Sequence, residues 1–230
     1  MAAHTISIIM PTCNEEAIIA ASLERLLAIT EGIDGVDIVV CDASDDATPG
    51  IVSGFPVTLC RCKKGRASQM NLGAWQASGD LLYFLHADTV PPPGFVHELR
   101  EAVAAGKEAG CFRMRFDDDH PLMAFFGWCT QFPLMICRGG DQSLFVWKEL
   151  FFRLGGYNES MVVMEEYDLI SRIGQVVPFH ILEAEVVTSA RKYHRNGIIP
   201  LQMHFGMVHL LYAMGADQDQ LIGYCREHIR

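Results

Sequence analysis

The run Leu81-Leu82-Tyr83-Phe84-Leu85-His86-Ala87-Asp88 decides the fold, because it is an apolar stretch that ends in a polar triplet finishing on an aspartate. A short continuous apolar run is typical of a strand buried in a parallel sheet. Two other apolar runs, at 6–10 and 38–41, also end in polar residues, at Pro11-Thr12-Cys13-Asn14-Glu15 and at Asp42. Ligands of open α/β sheets bind outside the carboxyl ends of the strands. The strand ends therefore predict one shared pocket.

Strand-like and helix-like segments alternate along the first half of the chain. The predicted strands lie at 6–11, 36–41, 57–62 and 81–85, and the predicted helices lie at 15–29, 66–78 and 95–105. For the first helix, Thr12 and Glu15 have the spacing of a capping box, and Asn14 is the rival cap. Such alternation gives a parallel sheet with right-handed crossovers. The predicted fold class is α/β, with a doubly wound, mostly parallel sheet.

The second half of the chain, from about residue 107, is less regular. Its predicted strands lie at 111–116, 143–147 and 176–188, and its predicted helices lie at 121–137, 148–154 and 165–173. An amphipathic helical tail is expected from Ile198 onward. A chain of 230 residues is most simply one domain.

The composition argues against several classes of protein. A net charge of −10 is unsuited to a general binder of nucleic acid, which needs a basic surface. The eight cysteines form no C-x-x-C pair, so reduced core thiols are expected rather than a zinc site. The start Met1-Ala2-Ala3-His4 has no basic region, the apolar run after it is too short for a signal peptide, and 198–214 is not apolar enough to span a membrane. A soluble, cytoplasmic protein is expected.

The ends of the first two strands carry groups that suit a nucleotide. Neither a G-x-G-x-x-G motif nor a P-loop is present. Pro11, Thr12 and Glu15 could grip a base or a ribose, and a plain helix cap explains them equally well. Asp45 or Asp46 is expected to cap the next helix, whereas Asp42, at a strand end, is placed to accept from a base imide or a ribose hydroxyl.

Two further groups suit a diphosphate and a cation. Lys63-Lys64-Gly65-Arg66 is a basic cluster at a predicted helix start, where backbone N–H groups favour an anion, although solvated surface charge is the alternative. Asp88 is the candidate ligand of Mg²⁺ or Mn²⁺, which take oxygen ligands and keep substrate phosphates in their shell. His86 could add a ligand, but a structural histidine beneath the metal is the preferred interpretation.

Candidate groups also lie in the second half. Gly140, Asp141 and Gln142 precede a predicted strand. Met164-Glu165-Glu166-Tyr167-Asp168 opens a helix, where acids are routinely dipole partners and one that faces the pocket could be a general base. Arg191-Lys192-Tyr193-His194-Arg195 either closes over phosphates or is solvated.

Taken in order, these motifs resemble those of the family 2 glycosyltransferases, which have the GT-A fold. The resemblance spans about 5–215 and is strongest to a compact bacterial subgroup named for arsenosugar biosynthesis. The matching motifs are Pro-x-x-Asn-Glu from Pro11, Asp-x-Ser-x-Asp-x-Thr from Asp42, Gly65-Arg66-Ala67-x-Gln69-Met70-Asn71, Gly79-Asp80, Leu85-His86-Ala87-Asp88, Gly140-Asp141-Gln142, Gly155-Gly156-Tyr157, and Met164-Glu165-Glu166-x-Asp168-Leu169.

The resemblance implies roles for the matching donor-side positions. Pro11, Thr12 and Glu15 would line the base and ribose pocket, with Asp42 holding the base. Arg66 would lie by the ribose or the diphosphate. Asp88, preceded by Ala87, matches the last acid of the family's Asp-x-Asp metal motif, whose first acid is replaced by His86.

It also implies roles in the second half. Gly140, Asp141 and Gln142 would sit near the acceptor or the donor sugar. Glu166 falls where many members carry the catalytic aspartate of a Glu-Asp pair, and Glu165 is the alternative base. Arg191 and His194 would belong to a C-terminal loop that folds over the donor, with His194 a further candidate for the metal.

The function implied is an inverting, metal-dependent transfer of a sugar from a nucleotide-diphosphate sugar, UDP-linked by family habit, to a small-molecule or lipid-linked acceptor. The donor would bind to residues 1–106 and the acceptor to 107–230. The alternatives are a sugar-phosphate nucleotidyltransferase, which Asn14-Glu15-Glu16 disfavours because that class has a basic loop there, and a non-catalytic nucleotide-sugar-binding protein. Core packing of the apolar C-terminal region is favoured over a homodimer contact or peripheral membrane contact.

Overall fold

The computed structural model describes residues 4–229, so Met1, Ala2 and Ala3 of the N-terminal stretch discussed above, and Arg230, lie outside the described residues. Eight strands form one sheet in the order β3-β2-β1-β4-β7-β6-β8-β5. The strands are β1 (Ile6–Thr12), β2 (Val36–Asp42), β3 (Thr58–Arg61), β4 (Leu81–Phe84), β5 (Thr89–Val90), β6 (Ala109–Phe116), β7 (Leu144–Trp147) and β8 (Phe179–Thr188).

The first four strands of the chain are parallel, as the alternation of strands and helices there predicted. β3, β2, β1 and β4 are parallel neighbours, and β6 is parallel to β8. β7 enters antiparallel between β4 and β6, and β5 pairs antiparallel with β8. The prediction of an α/β fold with a mostly parallel sheet is confirmed, and the antiparallel pairings of β5 and β7 make the sheet a mixed one.

Helices cover both faces of the sheet. They are α1 (Ile19–Thr30), α2 (Thr48–Val52), α3 (Arg66–Gln76), α4 (Phe95–Ala104), α5 (Pro121–Cys129), α6 (Lys148–Arg153), α7 (Glu165–Gly174), α8 (Arg191–Asn196), α9 (Ile198–Ala213) and α10 (Gln218–His228). Short 3₁₀ helices span Met135–Cys137 and Gly140–Gln142. None of the helices among residues 4–229 combines the length and the apolarity that a membrane crossing requires.

The side chains of β1 alternate between two hydrophobic clusters, one on each face of the sheet. Ile8 and Met10 join the cluster that includes Leu23 of α1, whereas Ile9 joins the cluster that includes Met70 of α3. Each such fully buried side chain contributes roughly 1.5–3 kcal/mol relative to exposure. A strand that is apolar on both faces is therefore held between helices, and its polar carboxyl end is left at the edge of the sheet.

Glycine lets α3 approach the sheet closely. A Cβ atom added at Gly73 would lie well inside contact distance of Ile9 Cγ2 and 3.1 Å from Cys41 Sγ. This close packing holds the second half of α3 against β1 and β2.

Two predictions about the first helix are wrong. α1 begins at Ile19 rather than at residue 15, and its N-cap residue Ile18 makes no side-chain capping bond. The Thr12 hydroxyl donates to Asp42 instead, and Asn14 adopts a left-handed backbone with φ 59° and accepts from Asp45 N. Thr12 and Asn14 therefore bind the end of β2 and the loop that follows it rather than capping α1.

Two predictions about the second half also need correction. The helix predicted at 121–137 ends at Cys129, before Pro133, and only a 3₁₀ turn follows. The C-terminal tail divides into α8, α9 and α10, and α9 is not amphipathic, because apolar side chains lie on its exposed face as well as on its buried face.

Candidate active site

The ends of β1, β2 and β4 lie side by side, as predicted. Thr12 is in register with Asp42, and beyond β4 the amide of Leu85 donates to Ile9 O at 2.9 Å. His86, Ala87 and Asp88 follow directly at this carboxyl edge, which is where an α/β sheet binds ligands.

Asp42 is fully buried, and its carboxylate is already occupied by protein donors. It accepts from Thr12 Oγ1 at 2.8 Å, from Ser44 Oγ at 2.5 Å and from the Ser44 amide at 3.2 Å. Arg61, its register partner on β3, also binds it with Nη1, while Arg61 Nη2 donates to Ser44 O at 2.9 Å. Asp42 thus organises Thr12, Ser44 and Arg61, and about half of the Arg61 side chain remains exposed.

Gln69 of α3 hydrogen-bonds to the ends of both β1 and β2. Its buried side-chain amide donates to Thr12 O at 2.7 Å and to Cys41 O at 2.8 Å. Those carbonyls lie at the carboxyl ends of β1 and β2, so Gln69 holds the floor of the predicted base pocket.

Arg191 of α8 bridges two acids from the first half of the chain. Its guanidinium donates to Glu15 at 2.9 and 3.0 Å, and Nη2 lies 3.2 Å from Asp88 Oδ2. Burial and the neighbouring carboxylates of Asp141 and Glu15 raise the pKa of Asp88 above its ordinary value, in spite of Arg191. The structure thus brings the predicted residues Glu15, Asp88 and Arg191 together.

His86 stands between two carboxylates. Nδ1 is 3.4 Å from Asp141 Oδ1, and Nε2 is 3.6 Å from Glu166 Oε1. Burial alone would lower the pKa of His86, but these two carboxylates raise it to about 9. The two carboxylates therefore favour the protonated ring, and the role of His86 as a metal ligand stays a prediction.

His194, the other candidate for the metal, is paired elsewhere. Its Nε2 lies 2.5 Å from Asp118 Oδ2, and about three fifths of its side chain is exposed. Its contact is with the loop after β6 rather than with Asp88 or Asp141.

Glu165 and Glu166 both lie beside Arg66, but the pKa values of their carboxyl groups shift in opposite directions. Arg66 Nη1 lies 3.2 Å from Glu165 Oε1 and 3.4 Å from Glu166 Oε1. Burial and the charge of Glu166 raise the pKa of Glu165 to about 7. Burial would also raise the pKa of Glu166, but Arg66 and His86 outweigh it and lower that pKa below its ordinary value. Glu166 is thus the ionised member of the pair.

The backbone around these acids is tightly constrained. Met164, just before α7, has a left-handed backbone with φ 68°, a conformation that costs a non-glycine residue energy. A Cβ at Gly140 would lie 2.5 Å from Glu166 Oε1 and 2.9 Å from His86 Cε1, so a side chain there would displace Glu166 and His86. Gln142 is buried and accepts from Gly139 N, and its Nε2 has no partner among the described residues.

A narrow cavity lies beside these groups. It holds about 10 Å³, and His86, Gly140 and Glu166 are among its lining residues. This volume is about that needed by one water molecule, so an oxygen atom fits next to Glu166. A groove of about 800 Å³ opens at the other edge of the sheet, near Leu27 and Thr58, and contains none of the predicted site residues.

The donor set fits a divalent cation only in part. Asp88 offers a hard carboxylate oxygen in a site where neighbouring acids disfavour its charge, and a cation would relieve that repulsion. Among residues 4–229, however, the structure contains no cluster of three or more His, Cys, Asp or Glu side chains arranged to hold a metal ion.

Sequence reasoning missed three residues of this site. Ser44 lies within the Asp-x-Ser motif and Gln69 within the Gly65–Asn71 motif, so each had a signal that was not used. Arg61 had none, because its position depends on the register between β2 and β3.

The sequence matches the family model described as "Glycosyl transferase family 2" over residues 7–140, which is more than half of the chain. The chain belongs to glycosyl transferase family 2. Membership in this family confirms the resemblance of the motifs, and the arsenosugar subgroup stays a prediction.

Two glycosyltransferases are similar in sequence to this family 2 chain. It is 28% identical over 193 residues to an uncharacterized glycosyltransferase of Haemophilus influenzae, covering 76% of this chain and 63% of that protein. It is 31% identical over 109 residues to dolichol-phosphate mannosyltransferase of Pyrococcus furiosus, covering 45% of this chain and 31% of that protein.

Solved structures share the fold. The mannosyltransferase PcManGT of Pyrobaculum calidifontis, in complex with GDP-Man and Mn²⁺, gives a TM-score of 0.69 at 19% identity, over 92% of this chain and 64% of that one. S. aureus TarS 1–349, in complex with UDP-GlcNAc, gives a TM-score of 0.65 at 15% identity, over 80% and 58%. The chain spans less than two thirds of the length of each of these four proteins.

Proposed function

We propose that this protein is an inverting glycosyltransferase that moves a sugar from a nucleotide-diphosphate sugar to an acceptor hydroxyl. The observation that carries the proposal is the meeting of Arg66, His86, Asp141 and Glu166 at the carboxyl edge of the sheet, in a chain of glycosyl transferase family 2. Structural neighbours in complex with GDP-Man and UDP-GlcNAc support a nucleotide-sugar donor. The preference for UDP rests on the family resemblance.

In this proposal the donor binds to residues 1–106, with Arg191 added from the second half, and the acceptor binds to 107–230. Pro11, Thr12 and Glu15 line the nucleoside pocket, and Asp42 acts on it through Thr12, Ser44 and Arg61. Arg66 and Arg191 are the cations available to the diphosphate. Gly140, Asp141 and Gln142 border the reacting sugar.

Glu166 is the proposed general base. It is ionised, it lines the cavity, and a hydroxyl placed there would lie within reach of its carboxylate. As the acceptor oxygen attacks the anomeric carbon, its proton passes to Glu166, and the bond to the diphosphate breaks. One displacement inverts the configuration, and no enzyme nucleophile is needed.

Asp88 would hold a divalent cation together with the diphosphate. When bound, such a cation would supply positive charge against the negative charge that grows on the leaving group. Arg191 now bonds to Asp88 and Glu15, so donor and cation binding would require this guanidinium to shift toward the phosphates.

Calorimetry of UDP and GDP with and without Mn²⁺ tests donor and cation binding. We expect Mn²⁺ to strengthen nucleotide affinity in the wild type and to have no effect in Asp88→Asn. Asp45→Asn, an exposed change in the loop after β2, is the matched control. Equal affinities with and without Mn²⁺ in the wild type would contradict the cation role.

Turnover tests the base. We expect Glu166→Gln to lower kcat by roughly 10²–10⁴-fold while nucleotide affinity is retained. If Glu166 is the base, kcat holds down to acidic pH, because the pKa of Glu166 is lowered; if Glu165 is the base, kcat falls as the pH drops through about 7. Nucleotide-sugar binding with neither transfer nor hydrolysis would favour the non-catalytic alternative.

A further inference from the structure

The exposed face of α9 is a continuous apolar stripe. Its large side chains recur at helical spacing, and each is between 41% and 75% exposed. We call this set the α9 stripe, and it consists of Ile199, Met203, Met207 and Leu210 together with Met214, the residue that directly follows α9. α9 contains no Asp, Glu, Lys or Arg. From Ile199 to Met214 the stripe is about 22 Å long, given a rise of 1.5 Å per residue.

A second uncharged element adjoins α9. Residues 121–137 contain no charged side chain, and Phe125 and Trp128 of α5 are both more than half exposed. Tyr193 joins the two elements, because its ring contacts Phe126 of α5 at 6.3 Å and Phe205 of α9 at 6.1 Å. Apolar exposure on this scale, in neighbouring elements, marks a surface that another phase or molecule covers.

Basic side chains surround the beginning of the stripe. Lys192 and Arg195 of α8 are exposed, and Lys192 Nζ lies 5.2 Å from the centroid of Phe205 on α9. On α10, His228 stacks on His204 of α9 at 5.1 Å, and exposed Arg226 lies two residues earlier.

The charge of the chain is divided unevenly. Residues 191–230 carry five Lys and Arg against three Asp and Glu, whereas residues 1–190 carry 13 against 25. Asp117 and Asp118, in the loop that leads to α5, are engaged by Ala190 N and by His194. An apolar stripe flanked by cations, in a chain that is otherwise acidic, complements an anionic lipid surface.

We propose that α9 docks on an anionic membrane surface, with the α9 stripe at the boundary between headgroups and acyl chains and with Lys192, Arg195 and Arg226 against lipid phosphates. α9 packs on α7 through Tyr167, whose ring lies 5.2 Å from His209 and 5.7 Å from Tyr212. Docking would therefore bring Glu166 close to the bilayer. If the proposed function holds, the acceptor hydroxyl belongs to a membrane lipid or a lipid-linked sugar.

Vesicle co-sedimentation of the full chain at low salt tests the proposal. We expect binding to vesicles of phosphatidylcholine with phosphatidylglycerol, and weaker binding to phosphatidylcholine alone. The combined variant Met203→Gln, Met207→Gln and Leu210→Gln should lose binding, and Val176→Gln, at an exposed apolar residue outside the stripe, should keep it. Lys192→Gln with Arg195→Gln should lower partitioning about thirtyfold, and added salt should weaken wild-type binding.

Sedimentation velocity and UDP binding complete the test. Absence of wild-type binding to the anionic vesicles, or unchanged binding of the triple variant, overturns the proposal. A wild-type dimer that the triple variant converts to a monomer, without vesicle binding, assigns the stripe to a second copy and also overturns it. Retained UDP affinity in the triple variant shows that the site is intact, and vesicle binding without sugar transfer would count against the proposed function alone.

Discussion

Replacing Glu165 by glutamine should stabilise this protein at alkaline pH. Glu165 is 1% exposed and sits beside the ionised Glu166. Its Oε1 lies 3.2 Å from Arg66 Nη1, but this ion pair lacks the geometry of a hydrogen bond. These surroundings disfavour its charge, and Arg66 compensates only in part. A neutral glutamine of nearly the same shape removes the cost of ionising a carboxylate there.

The size of the effect follows from the pKa. Burial and Glu166 raise the pKa of Glu165 from its ordinary 4.5 to about 7. The pKa of Glu165 is higher in the folded protein than in the unfolded chain, so the stability that its protonated form contributes is fully present below pH 4.5. That contribution is lost as the pH rises through about 7. The difference between the two pKa values corresponds to about 3 kcal/mol in the free energy of unfolding, at about 1.4 kcal/mol per pH unit. For a chain of this size, the difference amounts to about 6–12 °C in Tm.

Thermal and urea unfolding of the wild type and Glu165→Gln, at about pH 5 and about pH 8.5, measure this difference. We expect similar stability at the lower pH and a more stable variant at the higher pH. Glu166→Gln should behave in the opposite sense, since its pKa is lowered and its ionised form is stabilising, and exposed Glu24→Gln should change nothing. A Glu165→Gln variant that is less stable than the wild type at alkaline pH would refute the reasoning, because Glu165 would then be an ionised partner of Arg66.

Further substitutions test the packing and polar contacts of the site. Asp42→Asn should destabilise the fold by about 1–3 kcal/mol and weaken nucleotide binding, because an asparagine amide cannot accept from all the groups that now donate to Asp42. Urea unfolding and calorimetry measure the two effects. A variant as stable as the wild type, with normal UDP affinity, would contradict the prediction. Gly140→Ala should reduce kcat with little change in Tm, because its methyl group would displace Glu166. Gly139→Ala is the control, since its methyl group meets nothing within 4 Å and should leave kcat unchanged. Equal values of kcat for the two variants would contradict the steric argument. Gly73→Ala should lower stability by about 1–3 kcal/mol through its clash with Ile9, with Gly50→Ala, which meets nothing within 4 Å, as the control in the same unfolding assay.

The first half of the fold was predictable because its strands are apolar on both faces and end at polar residues. β1, β2 and β4 lie within one residue of their predicted bounds. The C-terminal helices were less predictable, since a helix that buries only Leu201 and Val208 in this chain has no periodic contrast to mark its buried face.

The candidate site was predictable to the level of which strand ends meet, but not to the level of contacts. The motifs indicated Asp42, Asp88 and Glu166, and the structure gathers them at one edge of the sheet. That Arg61 would satisfy Asp42 depends on register between strands, and that Arg191 would bind Glu15 depends on a contact between residues 176 positions apart. Neither follows from local pattern.

The two departures from the family's motifs lie against each other in the structure. By the resemblance of the motifs, His86 stands where the first acid of the family's metal motif would be, and Glu166 stands where many members carry the catalytic aspartate. His86 Nε2 is 3.6 Å from Glu166 Oε1. An acid at position 86 would place a carboxylate among those of Asp141, Glu165 and Glu166, where repulsion would favour protonation of a base. The imidazolium does the reverse, because it lowers the pKa of both Asp141 and Glu166. Glu166 Oε1 lies near both cations, 3.6 Å from His86 Nε2 and 3.4 Å from Arg66 Nη1. Under the proposed function, a histidine at position 86 leaves one oxygen ligand fewer for a cation. Cation binding at Asp88 then depends on the diphosphate of the donor.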